Sequence, residues 1–354
     1  MPDTSSPLQE AISSLANRQS LSERLTAQVF GIVMRGEATP AQVAALLMGL
    51  RVKGESAEEV AGAARALREA MVRVEAAGPH LVDTCGTGGG TVGTFNISTA
   101  AAFVAAGAGA SVAKHGNRSF TSKCGSADVL EALGVTIALD ARAAAQVLRE
   151  ACLTFLFAPS FHPAMKHVAA VRRELGVPSV MNLIGPLANP AGVRRQVLGV
   201  ADRDRAPLMA EALARLGAEH AMVVHGRIGM DEISPLGVTD VWEVHEGRVT
   251  TWVLDPAEHG HAIADAGVLA GGTPAENATR VERLLTAKGG GRPGDDVGGR
   301  AAVLLNAGAA VYVAGLARTY GDGVKRSADA LDQGRARQAL ERLRGVSAGA
   351  ARTS

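Results

Sequence analysis

Residues 82–134 constrain this chain more than any other stretch. Glycines at 86, 88, 89, 90 and 93 are interleaved with Thr87, Thr91, Thr94, Asn96, Ser98 and Thr99; Lys114-His115-Gly116-Asn117-Arg118-Ser119 follows, then Gly125-Ser126-Ala127-Asp128. Glycine-rich turns let main-chain N–H groups approach a phosphate closely. Ser98 and Thr99 stand where a helix would begin, and a helix N-terminus attracts anions. Lys114 offers a point charge for phosphate. The pattern is one of backbone loops, carried on short strands and helices, that hold something highly charged. Two common phosphate motifs fail here. A P-loop closes its turn with Gly-Lys-Ser/Thr, which is missing. Residues 88–93 do spell G-x-G-x-x-G, but a dinucleotide site also needs a helix straight after it and an acid about twenty residues on. Instead Thr94-Phe95-Asn96 follows, and the region near Lys114 is basic.

With 354 residues, 47% of them hydrophobic, the chain has apolar material for two domains. A net charge of +1 lacks the basic excess that nucleic-acid binding calls for, and at 3% aromatic residues base-stacking platforms are scarce. Cys85, Cys124 and Cys152 form an odd, widely spaced set without C-x-x-C, which fits neither a disulfide framework nor structural zinc and points to a reducing cytoplasm. The N-terminus lacks the regions of a signal peptide, and no apolar run reaches membrane-spanning length. The expectation is a cytoplasmic protein with neither nucleic acid nor membrane as partner.

Up to residue 76 the chain reads as helices alone. Leu8, Ile12 and Leu15 have helical spacing; Ser20 with Glu23 reads as a capping box; Thr39-Pro40 puts proline at a first helical position; Ser56 with Glu59 starts a fourth helix expected to run to about residue 74. Leu46, Leu47 and Leu50 are left to pack on the next domain or on a second subunit. From residue 80 short strands alternate with helices, which predicts a largely parallel sheet. Strands are expected at 81–84, 111–113, 135–139, 153–158, 196–200 and 221–224, with a hairpin over 241–253 around Gly247. Helices are expected at 99–108, 127–133, 141–151, 163–175, 206–216 and, apolar and buried, 301–317. Residues 289–294 read as a surface loop. The fold class is therefore α/β: a small all-helical domain over 1–76, on which the segment at 162–180 is expected to pack, an α/β domain over 80–345 with a mostly parallel central sheet, and a frayed tail at 346–354. In such sheets the ligand lies beyond the carboxyl ends of the strands. The glycine loop, residues 114–117, 157–159 and 225–227 all follow strand ends.

Asp231-Glu232, after a strand and a glycine turn, reads either as a magnesium site or as a solvated acidic turn. His115 and His162 sit in glycine- and proline-rich turns, where a structural hydrogen bond is the commoner role. Asn117 reads as a left-handed turn residue or as an amide that reads a ligand. Arg172 and Arg173 end a helix and answer its dipole, unless one of them takes a carboxylate in a bidentate fork. No Gly-x-Ser-x-Gly elbow is present, so positioning and electrostatics are favoured over a covalent nucleophile.

Taken in order, Gly86-Thr87-Gly88-Gly89, Phe95-Asn96-Ile97-Ser98-Thr99, Lys114 to Arg118, Gly125 to Gly134, Phe157-Ala158-Pro159, His162 to His167, Val171 to Gly176, Asn182 to Pro190 and Gly229 to Glu232 span nearly the whole chain. In this pattern the chain resembles the anthranilate phosphoribosyltransferases. The resemblance implies a helical domain plus an α/β domain, a homodimer through the helical domains, Mg²⁺ as cofactor, and the joining of anthranilate to phosphoribosyl pyrophosphate in tryptophan synthesis. Carried over motif by motif, it assigns Gly86, Thr87, Gly88, Gly89, Thr94, Asn96, Ser98, Thr99, Lys114 and Ser126 to phosphoribosyl pyrophosphate. Gly86, Asn117, His162 and Arg172 go to anthranilate, and Ser98, Asp231 and Glu232 to the metal. Lys114, Asn117 and Arg172 would act in catalysis by position and charge. One position departs from the pattern: the family usually carries Asp after Gly-Thr-Gly-Gly, and here Gly90 and then Thr91 follow. Two rivals share the architecture, a pyrimidine nucleoside phosphorylase and a nucleic-acid-binding relative. Asn96 to Thr99 and Asp231-Glu232 speak against the first, the near-neutral charge against the second.

Overall fold

Hydroxyl side chains and prolines start the first four helices in the computed structural model, which describes residues 6–76, 78–119, 123–286 and 295–352. Ser6 with Gln9, Thr39 with Gln42 and Ser56 with Glu59 form capping boxes ahead of α1 (Pro7–Ala16), α3 (Pro40–Lys53) and α4 (Ala57–Ala70). The start of α2 (Glu23–Met34) differs from expectation. Ser22, not Ser20, is its cap, and Leu21 stays outside the helix because its N–H donates to Glu59 Oε1 at 2.8 Å. Glu59 is fully buried and also takes Lys53 Nζ at 2.8 Å. α4 stops short of residue 74 because the chain turns to give the Val72 N–H to Phe161 and the Val74 N–H to Pro190.

The sheet elements follow in the order β1 (Leu81–Gly86), α5 (Ile97–Gly107), β2 (Ser111–Gly116), α6 (Ser126–Ala132), α7 (Ala141–Ala151), β3 (Leu153–Phe157), α8 (Ala158–Phe161), α9 (Lys166–Leu175), α10 (Val180–Ile184), β4 (Arg195–Gly199), α11 (Ala206–Arg215), β5 (His220–Gly226), β6 (Thr239–His245), β7 (Arg248–Leu254), α12 (Pro274–Thr286), α13 (Val297–Val313), α14 (Tyr320–Asp332) and α15 (Arg335–Ala351). The strands form one sheet in the order β3-β2-β1-β4-β5-β6-β7, parallel up to β5 and antiparallel through β6 and β7. The chain leaves β1 toward β2 on one side and returns to β4 on the other, so the topological switch point lies between β1 and β4.

Two expectations need correcting, and a third is decided between its two alternatives. Residues 135–139 form no strand: Val135, Ile137 and Leu139 alternate into the core, but the Thr136 N–H goes to the Ser347 hydroxyl and not to a neighbouring strand. The tail is not frayed through its length, because α15 runs to Ala351 and buries Ser347 and Ala350. Leu46, Leu47 and Leu50 are spent inside the chain, at most 1% exposed, in a core that also holds Val168 and Val171 of α9. The expected loop at 289–294 lies outside the described residues.

Two hydrophobic cores result, one on each face of the sheet. Along β4 and β5 the side chains alternate: Val197, Met222 and Val224 join the core under α5 and α13, while Leu198, Ala221 and Val223 join the core shared with α1 to α4 and α9 to α11. The parallel strands, covered on both faces, are mostly buried, whereas the edge strand β7 is mostly exposed. The helical segment is also fastened by polar contacts: Arg205 pairs with Glu55, and Arg68 Nε donates to the Leu187 carbonyl at 2.6 Å. No helix of the described residues is long and apolar enough to cross a membrane.

Candidate active site

The two strands that flank the switch point end on glycines opposite each other in register, Gly86 and Gly199. Neither has room for a side chain. A Cβ on Gly199 would fall 1.6 Å from the Asp231 carbonyl oxygen, and one on Gly86 would fall 2.9 Å from Asp231 Oδ2. The segment after β5 therefore lies directly over the strand ends. It is turned back there by Gly226, whose N–H donates to the Met230 carbonyl at 2.9 Å. The glycine loop closes on it from the other side. Gly88 N–H donates to Asp231 Oδ2 at 2.9 Å, and Thr91 N–H to the Gly229 carbonyl at 2.9 Å. Gly88 and Gly89 have φ of 69° and 84°, backbone that favours glycine. A Cβ on Gly90 would lie 3.1 Å from Asp231 Oδ1.

α5 begins at this point. Its cap residue, Asn96, turns its side chain away: the amide donates to the Cys124 carbonyl at 3.2 Å and accepts from Asn277 Nδ2 at 2.9 Å. The first N–H groups of α5 are thus left for other acceptors, and Ser98 N–H donates to Glu232 Oε1 at 3.1 Å. Lys114, only 4% exposed, donates to the Thr84 carbonyl and to Ser98 Oγ at 3.2 Å. Asp83 answers from the opposite strand by accepting the His115 N–H at 3.1 Å. These two side chains replace the β1–β2 ladder, whose paired register stops at Val82 and Val112. Thr99 Oγ1 is buried without a partner, Thr87 Oγ1 accepts from the Ala201 N–H at 3.1 Å, and Thr94 bridges to Ala270.

Burial pushes the Asp231 carboxyl above its ordinary range, and it pushes Glu232 well above, where the neighbouring charge of Asp231 adds to the effect. Lys114 pulls Glu232 the other way, and its own pKa is lowered, by burial first. Glu232 Oε2 is buried and makes no hydrogen bond. Crowded carboxylates with a bare oxygen, beside the Ser98 hydroxyl, make a hard oxygen donor set that suits Mg²⁺. Among the described residues no group of three or more His, Cys, Asp or Glu could hold a metal. The donor set therefore fits an ion that takes its remaining ligands from phosphate and water.

The remaining candidates form separate groups. Asn117 has negative φ, so the left-handed expectation fails; its Oδ1 accepts the Arg118 N–H at 2.8 Å, and its carbonyl takes Ser126 Oγ at 3.2 Å. His162 Nε2 lies 3.2 Å from His115 Nε2, both rings buried. Burial pushes His115 down to about 3 and His162 down to about 4, so both rings are neutral near pH 7 and neither is an effective base. Arg172, half-buried in the last turn of α9, has no anionic partner among the described residues, and burial lowers its pKa. No hydrogen bond joins it to the groups around Asp231 or His162. The sequence reading passed over Gly199, Asp83, Thr84, Asn277 and Asn306. For Gly199 and Asn306 the available signal was a lone glycine or polar residue inside an apolar run; Asp83, Thr84 and Asn277 carried no such signal.

The sequence profile of the glycosyl transferase family a/b domain matches residues 78–337, and that of the same family's helical bundle domain matches residues 9–71. Anthranilate phosphoribosyltransferase 2 of Streptomyces coelicolor is 51% identical over 325 residues, 92% of this chain and 95% of the relative. The Myxococcus xanthus anthranilate phosphoribosyltransferase is 47% identical, covering 95% of this chain and 98% of the relative. Among solved structures, the Thermus thermophilus enzyme superposes with a TM-score of 0.88 at 42% identity, over 95% of this chain and 99% of that one. The Saccharomyces cerevisiae enzyme, in complex with PRPP and Mg, superposes with a TM-score of 0.87 at 28% identity, over 97% and 98%. By profile, sequence and fold along nearly its whole length, the chain belongs to the anthranilate phosphoribosyltransferase family.

Proposed function

We propose that this protein transfers the phosphoribosyl group of 5-phosphoribosyl 1-pyrophosphate to the amine of anthranilate, giving N-(5-phosphoribosyl)anthranilate and pyrophosphate, and that it does so in the cytoplasm as a step of tryptophan biosynthesis. One observation carries the reading. Two main-chain N–H groups, of Gly88 in the glycine loop and Ser98 at the start of α5, already hold carboxylate oxygens beside Lys114. Groups that bind one oxyanion bind another, and a helix N-terminus adds its dipole. The glycine loop, Asn96, Ser98, Thr99 and Lys114 are the residues to receive the pyrophosphate and ribose phosphate. Ser98, Asp231 and Glu232 are the residues to hold magnesium, which when bound would supply a Lewis acid for the departing pyrophosphate.

The amine of anthranilate is neutral at pH 7 and forms its bond to the anomeric carbon as the bond to pyrophosphate breaks; the nitrogen then sheds one proton, which passes to the departing pyrophosphate or to water. What the protein must supply is alignment and stabilisation of a leaving anion. Lys114 gives charge at the leaving group. Asn117 and the neutral His162 offer hydrogen-bonding groups to the aromatic substrate, and the unpaired Arg172 offers a fork for its carboxylate. A general base is not required of any of them. The test is to mix the protein with anthranilate, phosphoribosyl pyrophosphate and Mg²⁺ and follow anthranilate fluorescence. Loss of fluorescence that needs all three components is expected. Phosphorolysis of a pyrimidine nucleoside with no such loss would replace this reading by the phosphorylase one.

A further inference from the structure

α13 is apolar and buried along most of its length, and near its middle it carries one side-chain amide, Asn306, 6% exposed. A buried amide must find partners for two donors and an acceptor. Asn306 finds all of them: Nδ2 donates to the Ile233 carbonyl at 2.9 Å and to the Ala302 carbonyl at 2.9 Å, and Oδ1 accepts the Ile233 N–H at 3.0 Å. The double bond set to Ile233 is the pairing one strand offers another, made here by a side chain to a residue outside any strand. Ile233 directly follows Glu232 and is fully buried. On its other side the Asp231-Glu232 segment is pinned by Gly199, where no Cβ fits, and by the Gly226 turn. Asn306 lines the same cavity as Ser98, Asp231 and Glu232.

Resting on the reading that Ser98, Asp231 and Glu232 hold magnesium, we propose that Asn306 is a positioning residue for that ion: by clamping both main-chain groups of Ile233 it holds Glu232 with one oxygen on Ser98 and the other bare. The bare oxygen is costly in a buried place. A loop free to move would turn it toward a donor or toward water, and the donor set would be lost. Groups that orient metal ligands without touching the metal matter to affinity for this reason.

The test is Mn²⁺ binding to the full chain, alone and with inorganic pyrophosphate, read from the spin-resonance signal of free Mn²⁺. Asn306→Ala should weaken Mn²⁺ affinity by about 10- to 100-fold. Asn306→Gln, which keeps the amide but moves it by one methylene, should weaken it in the same direction and serves if the alanine variant does not fold. Tyr320→Phe is the control, since it removes a buried bond from Tyr320 to the Leu305 carbonyl, one residue away on the same helix. It should lower the melting temperature and leave Mn²⁺ affinity unchanged. Wild-type affinity in the folded Asn306 variants, or an equal loss in Tyr320→Phe, would overturn the proposal. If Glu232→Gln weakens Mn²⁺ while the Asn306 variants do not, the metal site stands and the proposal alone falls. If wild-type protein binds no Mn²⁺ in either condition, both fall.

Discussion

At the scale of single residues, the roles rest on which groups are satisfied and which are not. Arg172 is half-buried and meets no anion among the described residues, and that is an unfavourable state for a guanidinium unless a ligand relieves it. Arg172→Ala should raise the KM for anthranilate by about tenfold or more while that for phosphoribosyl pyrophosphate changes little. Steady-state kinetics with each substrate varied would show it; equal changes in both would reduce Arg172 to a helix-ending charge. At Gly90, where the resemblance leads one to expect Asp, an added Cβ would lie 2.9 Å from the Gly229 carbonyl oxygen and 3.1 Å from Asp231 Oδ1. Gly90→Asp should therefore shift the Mg²⁺ concentration for half-maximal rate by about severalfold, because a third carboxylate joins the site, and leave the anthranilate KM nearly unchanged. A magnesium titration that superimposes on wild type would put position 90 outside the metal's surroundings. The chemistry of Lys114, Ser98, Asp231 and Glu232 was legible as residue types in the sequence. What was not legible is that Gly88 and Ser98 would hand their N–H groups to those two carboxylates, 143 and 134 positions away.

At the scale of elements, periodicity told truly which side chains are buried but not always what the backbone does. Residues 135–139 alternate as a strand would, and they bury Val135, Ile137 and Leu139, yet among the described residues no strand pairs with them, and the Thr136 N–H goes to a side chain. The hydroxyls at 20 and 22 both precede an acidic or apolar run, and only the contact of Leu21 with Glu59, far along the chain, decides between them. The carboxyl ends of β1, β2 and β5 run on two or three residues beyond the expected strands. Gly86 and Gly199 face each other across the switch point because the segment carrying Asp231 must cross directly above. Gly199→Ala would drive a Cβ to 1.6 Å from the Asp231 carbonyl, so that segment must move. A displacement of about 1 Å at a catalytic group costs on the order of a hundredfold, and kcat should fall by that order while the circular-dichroism spectrum of the folded protein is kept. An unchanged kcat would mean that the Asp231 segment is not held by β4.

At the scale of the whole molecule, the helical segment and the sheet are not two independent cores. The core that holds Leu46, Leu47 and Leu50 also holds Leu198 and Val223, and Arg205 to Glu55 fastens the two parts. Sequence alone separates helices before residue 76 from strands after residue 80, because periodicity is local. It does not reveal that one face of β4 and β5 is covered by the first helices, since that contact spans more than a hundred residues. The consequence for function is a sheet whose carboxyl ends gather the glycine loop, the start of α5, Lys114 and the Asp231-Glu232 segment into one place, the place proposed above to take the anion and the metal. Whether that place works as one unit is read from the rate of anthranilate consumption, with pyrophosphate release counted alongside, as Mg²⁺ is titrated into wild-type protein and into the Asp231→Ala, Glu232→Ala double variant. The wild type should release one pyrophosphate per anthranilate, dependent on Mg²⁺, and the double variant's barrier should rise by several kcal/mol, about the scale of a lost Lewis acid. Equal turnover of the two proteins, with or without excess EDTA, would contradict it.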